Sequence, residues 1–221
     1  MTTPRRQFLR NSVLAAAGLT FLRCGGGETP ATDSAQKETP MTAPAALPYL
    51  ETIGVQLWSV RDQMAEDPEM TLKTLKEIGY HQVEFGDTRT MKQLKPICEA
   101  NGLVVNSTFI NWNTVTGGWK YTPDATPYEF AEVIDNAGEA GLSHLVFGYL
   151  LPQERTSADD WKRLADQLNE AGAKCKDNDL QLTYHNHNFE WDPIEGTTGW
   201  DILTERMDGN LVPWELDLFW A

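Results

Sequence analysis

The chain has 221 residues, 41% of them hydrophobic and 10% aromatic, which is enough to bury a sizeable core. Its formal net charge of −14 argues against binding to a phosphate backbone, which needs a basic face to displace counterions. A small neutral or cationic substrate is compatible with this balance, as is an anionic one gripped by a metal.

The first segment reads as a targeting signal. "TPRRQFLR" sets Arg5 and Arg6 just ahead of Phe8 and Leu9, and the apolar run Ser12 to Leu22 follows. That run is too short to span a bilayer, so residues 1–23 read as an export signal. The pattern resembles the twin-arginine signal of bacteria, which predicts a periplasmic protein. Residues 24–49 are rich in Gly, Pro, Thr, Ala and Ser and read as a flexible tether. Cys24, between the apolar run and the tether, resembles a lipoprotein acylation site and so predicts membrane association through a lipid anchor. Arg23 departs from the small residue expected before such a cysteine. Cys98 and Cys175 are far apart, without metal spacing, and read as buried thiols.

From residue 50 to 221 strands and helices alternate. Ile53 to Val60 is a predicted strand. Asp67-Pro68-Glu69 caps a helix carrying Met70, Leu72, Leu75 and Ile78, which Gly79 ends. "HQVEFG" is the second strand, followed by a helix from Met91 to Asn101 with a bend expected at Pro96. "LVVNSTFI" is the third. After the long connection "NWNTVTGGWKYTPDAT", Thr126-Pro127-Tyr128-Glu129 predicts a capped helix start, running to about Ala140. "HLVFGYL" is the fourth strand. Ser157 caps a helix through Trp161, Leu164, Leu168 and Ala171. "QLTYHNHNFE" is the fifth strand, a short helix spans Trp200 to Met207, and "VPWELDLFW" is the sixth strand.

This alternation predicts a parallel sheet. Polar residues gather towards the carboxyl ends of the strands: Gln56 and Ser59, Glu84, Asn106 and Thr108, His185 and His187, Glu215 and Asp217. Such a rim favours a (β/α)₈ barrel, whose strand ends converge on one mouth, over an open sheet. About six of the eight strands lie before Ala221, so the barrel is expected to be incomplete at its C-terminal side. Two-residue periodicity puts His185 with His187, and Glu215 with Asp217, on shared faces. Imidazole and carboxylate meeting in a mouth make a divalent metal site plausible, with Asn186, Asn188 and Glu190 as local partners that would fix the ring tautomers. Trp58, Trp112 and Trp220 are candidates for stacking on a sugar ring. His81 and His144 stand at strand starts and read as structural. No G-x-S-x-G or H-E-x-x-H motif occurs.

"IGVQLWSVRDQMAEDPEMTLKTLKEIGYHQVEF", "LTYHNHNFEW" and "WELDLFW" together resemble the xylose isomerase-like TIM barrel family, in its exported sugar phosphate isomerase/epimerase branch. The resemblance covers Thr52 to Ala221. It implies a divalent metal (Mn, Mg, Zn or Co) bound by His185 and Asp217. It also implies catalytic roles for His187, Glu190 and Glu84, and substrate contacts from Trp58, Asn106 and Trp220. Thr108 stands where the branch often has a histidine, and the family's seventh-strand histidine and eighth-strand glutamate fall past Ala221. The implied chemistry is proton abstraction next to a carbonyl, through an enediolate, on a sugar or keto-sugar. The same step would begin a lyase or hydratase reaction on a 3-keto-glycoside. A non-catalytic carbohydrate-binding lipoprotein is the second class and a metal nuclease, disfavoured by charge, the third. The expected partner is a small carbohydrate, with no nucleic acid, and a homo-oligomer is compatible with the pattern.

Overall fold

The computed structural model describes residues 52–221. The arginine pair, Cys24 and the tether of 24–49 lie outside the described residues.

Strand β1 (Gly54–Gln56) runs into a 3₁₀ turn, Leu57–Val60, and then helices α1 (Arg61–Glu66) and α2 (Pro68–Glu77). The Asp67 carboxylate accepts from Met70 N at 2.9 Å, and Pro68 fills the first turn, where a missing N–H costs nothing. β2 (Gln82–Phe85), α3 (Met91–Ala100), β3 (Val104–Phe109), the one-turn α4 (Asn113–Thr116) and α5 (Phe130–Glu139) follow. Next come β4 (His144–Phe147), α6 (Ala158–Lys176) and β5 (Gln181–His185). Ser157 and Asp160 close a full capping box at the start of α6. A small hairpin of β6 (Pro193–Ile194) and β7 (Thr197–Thr198) leads into α7 (Gly199–Arg206) and β8 (Trp214–Glu215).

The six long-range strands pair in the order β1-β2-β3-β4-β5-β8, all parallel, forming a curled part of a barrel. β1 and β8 are its outer strands. One face of the sheet carries Val83, Phe85, Leu145, Phe147, Leu182 and Tyr184, all buried against Leu72, Leu75, Val133, Leu164 and Leu168 of the helices. Alternation then turns Gln82, Glu84, Ser107, Val146, Thr183 and His185 to the inner face.

Several boundaries differ from the sequence expectation. The first strand stops at Gln56, so Trp58 sits in the 3₁₀ turn. The fifth stops at His185 and the sixth at Glu215, because past those points side chains replace the backbone ladder. Thr126 does not cap a helix: α5 begins at Phe130 after an extended Glu129. Tyr128 is instead committed to packing, its ring 5.5 Å from Trp119 and under the Arg89 guanidinium at 4.3 Å. A bulge separates Gln82↔Val104 from Glu84↔Ser107, so β3 carries one extra residue.

Gly172 lies within α6, where a Cβ would approach the Leu211 carbonyl oxygen to 2.7 Å and Val212 Cγ2 to 2.8 Å. Alanine normally stabilises a helix over glycine by about 1 kcal/mol. Here Gly172→Ala is expected to do the reverse and to destabilise by roughly 1–3 kcal/mol through overpacking against a backbone that cannot yield. Urea unfolding of the two proteins checks the sign.

Candidate active site

The carboxyl ends of β2, β5 and β8 bring Glu84, His185, Glu215 and Asp217 into one cluster. The register sets His185 opposite Glu215, and its Nδ1 lies 3.0 Å from Glu215 Oε1. The other ring nitrogen, Nε2, faces Asp217 Oδ2 at 3.4 Å. The histidine is therefore clamped edge to edge between two carboxylates. An Nδ1–H donated to Glu215 leaves Nε2 as a lone pair aimed at Asp217, an arrangement that is repulsive unless a cation, a proton or a metal ion, lies between them.

His185 and Asp217 have the spacing of two metal donors. A metal about 2.1 Å from an imidazole nitrogen and a carboxylate oxygen, at a tetrahedral angle, sets those atoms about 3.4 Å apart. The Nε2–Oδ2 spacing fits one such edge, and Glu215 stands where a carboxylate orients a ligating histidine. Among the described residues no three His, Cys, Asp or Glu side chains converge as a complete metal set. Glu215 binds the far edge of the ring and cannot be the third donor while it holds Nδ1.

Asn186 fixes Asp217. Fully buried, it donates from Nδ2 to the Asp217 carbonyl at 3.0 Å and accepts from Asp217 N at 2.8 Å. The carboxamide thus copies a backbone and extends the β5–β8 ladder by one step. Asp217 Oδ1 in turn accepts from Phe219 N at 2.7 Å, leaving Oδ2 for His185.

His187 lies beyond the strand, yet its ring is 5.3 Å from that of His185. It is sandwiched: Phe189 lies parallel at 5.3 Å and Trp220 at 5.6 Å. Arg155 continues the pile, its guanidinium 3.9 Å above Phe189. Burial, with the charges of His185 and Arg155, pushes the His187 pKa down and favours the neutral imidazole. Its Nδ1 has no hydrogen-bond partner among the described residues.

Glu190 was expected to work as an acid or base. It is 0% exposed and both oxygens are engaged, Oε1 with the Tyr184 hydroxyl at 2.9 Å and Oε2 with His187 N at 2.9 Å. Turned into the wall, it fixes the backbone that carries His187. Burial raises its pKa.

Glu84 accepts from Ser107 Oγ at 2.5 Å. Burial first, then the charge of Glu215, raises its pKa to about 7, against the opposing pull of Ser107 and His185. The bulge in β3 makes Ser107 the partner and turns Asn106 away. Asn106 instead is exposed along a cavity of about 470 Å³ that Glu84, Ser107 and Glu215 also line. Trp58 is 68% exposed and stacked by Arg61 at 4.9 Å, outside the cluster. Thus Glu84, His185, His187, Asp217 and Trp220 come together and Asn106 lines the cavity beside Glu84, while Trp58 and Glu190 are turned elsewhere. Sequence reasoning missed Glu215 as the partner of His185, Ser107 as the partner of Glu84, and Tyr149, Phe189 and Arg155 around His187. Only strand register and ring packing reveal them.

No protein-family model matches the chain, and no curated protein matches it. Among solved structures it is similar to a sugar phosphate isomerase/epimerase from Parabacteroides distasonis, at 23% identity and a TM-score of 0.64, over 87% of this chain and 71% of that one. An AP endonuclease of family 2 from Brucella melitensis aligns at 13% identity and a TM-score of 0.50, over 69% of this chain and 64% of that one. The fold is that of a (β/α)₈ TIM barrel, of which the described residues carry six strands.

Two predictions follow from this geometry. With a folded pKa of about 7 against an ordinary 4.5, Glu84 keeps a proton that the unfolded chain has already released. Stability therefore falls as pH rises through that window and levels off above it. Glu84→Gln is expected to remove this slope and to gain roughly 1–3 kcal/mol at pH 8 with little change at pH 4, as denaturant titrations at the two pH values would read. Asn186→Ala strands both main-chain groups of Asp217 and is expected to cost about 2–4 kcal/mol, while Asn186→Gln, which cannot fit the same ladder step, recovers little of it.

Proposed function

We propose that this protein is a divalent-metal-dependent sugar isomerase or epimerase that moves a proton next to a carbonyl. The observation that carries the reading is the clamp on His185, whose Nε2 and Asp217 Oδ2 lie one metal edge apart while Glu215 holds the opposite nitrogen. The fold likeness to a protein described as a sugar phosphate isomerase/epimerase supports the same class.

A divalent ion held by His185 and Asp217 would supply Lewis-acid polarisation of the sugar carbonyl. The remaining roles belong to this chain's side chains. His187, neutral and stacked, presents a basic nitrogen beside the cluster and would take the proton from the carbon next to the carbonyl. Glu84, with a pKa of about 7, is poised near neutrality to return a proton or to take one from a hydroxyl. Trp220, 39% exposed over His187, offers the outer wall for a sugar ring and limits water there. Tyr184 and Glu190 act on position alone, by fixing the main chain under His187. The β-elimination that a lyase performs on a keto-glycoside begins with the same abstraction, so the product distinguishes the two. The Arg5-Arg6 segment supports placing the reaction outside the cytoplasm, with Cys24 as the candidate anchor.

The test is solvent exchange. Purified protein is incubated in D₂O with a panel of aldoses, ketoses and 3-keto-glucosides, with and without Mn²⁺ or Mg²⁺, and proton NMR follows deuterium entering at the carbon beside the carbonyl. Exchange that needs the metal and falls at least about 100-fold in Asp217→Asn is the expected result. Sugar binding with no exchange for any substrate would leave a carbohydrate-binding protein in its place.

A further inference from the structure

A second polar cavity, of about 400 Å³, lies on the flank of the mouth between the loops after β3 and β4 and the first turns of α6. Thr116, Gly118, Tyr121, Glu154, Asp160 and Arg163 line it, and none of the His185–Asp217 cluster does. Glu154, at the end of the 3₁₀ turn Pro152–Glu154, is only 9% exposed, and its Oε2 is buried without a hydrogen-bond partner among the described residues. Asn113, the first residue of α4, is 1% exposed, and its Oδ1 is likewise unpartnered. The two side chains converge: a Cβ placed on Gly118 would meet Glu154 Oε1 and, at 2.9 Å, Asn113 Oδ1.

A buried carboxylate without a partner is costly, and buried charges are normally paired or bound to a metal. The cations lining this cavity are engaged elsewhere. Arg163 pairs with Asp160 at 2.5 Å, and Lys120 is exposed over the Tyr121 ring at 4.7 Å. Asn113 Nδ2 donates to Thr122 Oγ1 at 2.7 Å, which turns Oδ1 towards Gly118 and Glu154. Glu154 Oε2 and Asn113 Oδ1 are thus unmet hard oxygen acceptors on two separate loops, and the two side chains, through Glu154 Oε1 and Asn113 Oδ1, meet over Gly118.

We propose that Glu154 and Asn113, around the Gly118 turn, hold a hard cation of the calcium type. Calcium takes oxygen ligands in a flexible shell of about six to eight, at roughly 2.3–2.6 Å, and completes it with water. The open side of the cavity can supply those waters. Magnesium demands a stricter octahedron, which two side chains on independent loops match poorly. A cation here would tie the loops after β3 and β4 to each other and to α6. Those same loops carry Trp112 and Tyr149, which pack edge to face at 5.0 Å, and Tyr149 meets the His187 ring at 5.8 Å, so the site would stiffen one wall of the mouth.

The experiment uses the full chain, stripped of metal, with Ca²⁺ and then Mg²⁺ added during thermal melting, and Tb³⁺ luminescence sensitised by neighbouring Trp119. Wild type and Asp217→Asn are both expected to gain about 5 °C in Tm with saturating Ca²⁺ and less with Mg²⁺. Glu154→Gln and Gly118→Ala are expected to lose the gain and the Tb³⁺ signal. Asn113→Asp gives an independent reading that survives if those variants fold poorly. It adds a second carboxylate, so it should be less stable than wild type without Ca²⁺ and recover with it. A Ca²⁺ response lost in Asp217→Asn but kept in Glu154→Gln would place the cation in the mouth and overturn the proposal. No response in wild type, with Asn113→Asp not rescued by Ca²⁺, would overturn it too. Glu154 would then be satisfied from within, by the Asn113 amide turned over.

Discussion

The Asn186 carboxamide is the contact on which the arrangement of the mouth depends. It is buried, and it pairs with both main-chain groups of Asp217 where the regular ladder between β5 and β8 has ended. A hydrogen-bonded amide in a dry wall is worth far more than its net energy suggests, because each partner left alone keeps a full desolvation penalty. That asymmetry fixes the two segments in one register. His185 and Asp217 then have little freedom in how they face each other.

Charge is concentrated behind that contact. Glu215 and Asp217 flank the His185 imidazole, and burial, followed by the charge of Glu215, raises the pKa of the nearby Glu84. Removing Glu84 from water disfavours its ionised form, and the neighbouring negative charge adds to that. That burial gives the site a carboxyl group poised near neutrality.

The second histidine is tuned by different means. His187 is held by π-surfaces, with Trp220 on one side and Phe189, backed by Arg155, on the other. Burial keeps it neutral, and Glu190 anchors its main chain from below through a carboxylate that never reaches the cavity. Two histidines two residues apart therefore occupy unlike environments, one ionic and one aromatic. That difference underlies their separate proposed roles.

Much of this was legible in the chain itself. The alternation of apolar and polar residues defined the buried face of the sheet, as Val83 and Phe85 or Leu182 and Tyr184 show. Cap chemistry placed Asp67 and Ser157 at true helix starts. His185, His187 and Asp217 were readable as lying at one end of the sheet because parallel strands share a direction, although His187 and Asp217 stand past the ends of β5 and β8. Tertiary structure alone decided the rest. The extra residue in β3 chose Ser107 over Asn106 as the neighbour of Glu84, and no local pattern announces a bulge. Register across β5 and β8, a long-range pairing, made Glu215 the partner of His185. Glu190, three residues past His187, looked like a site residue from the family resemblance. The chain turns into a 3₁₀ helix there, and that turn sent its carboxylate into the wall.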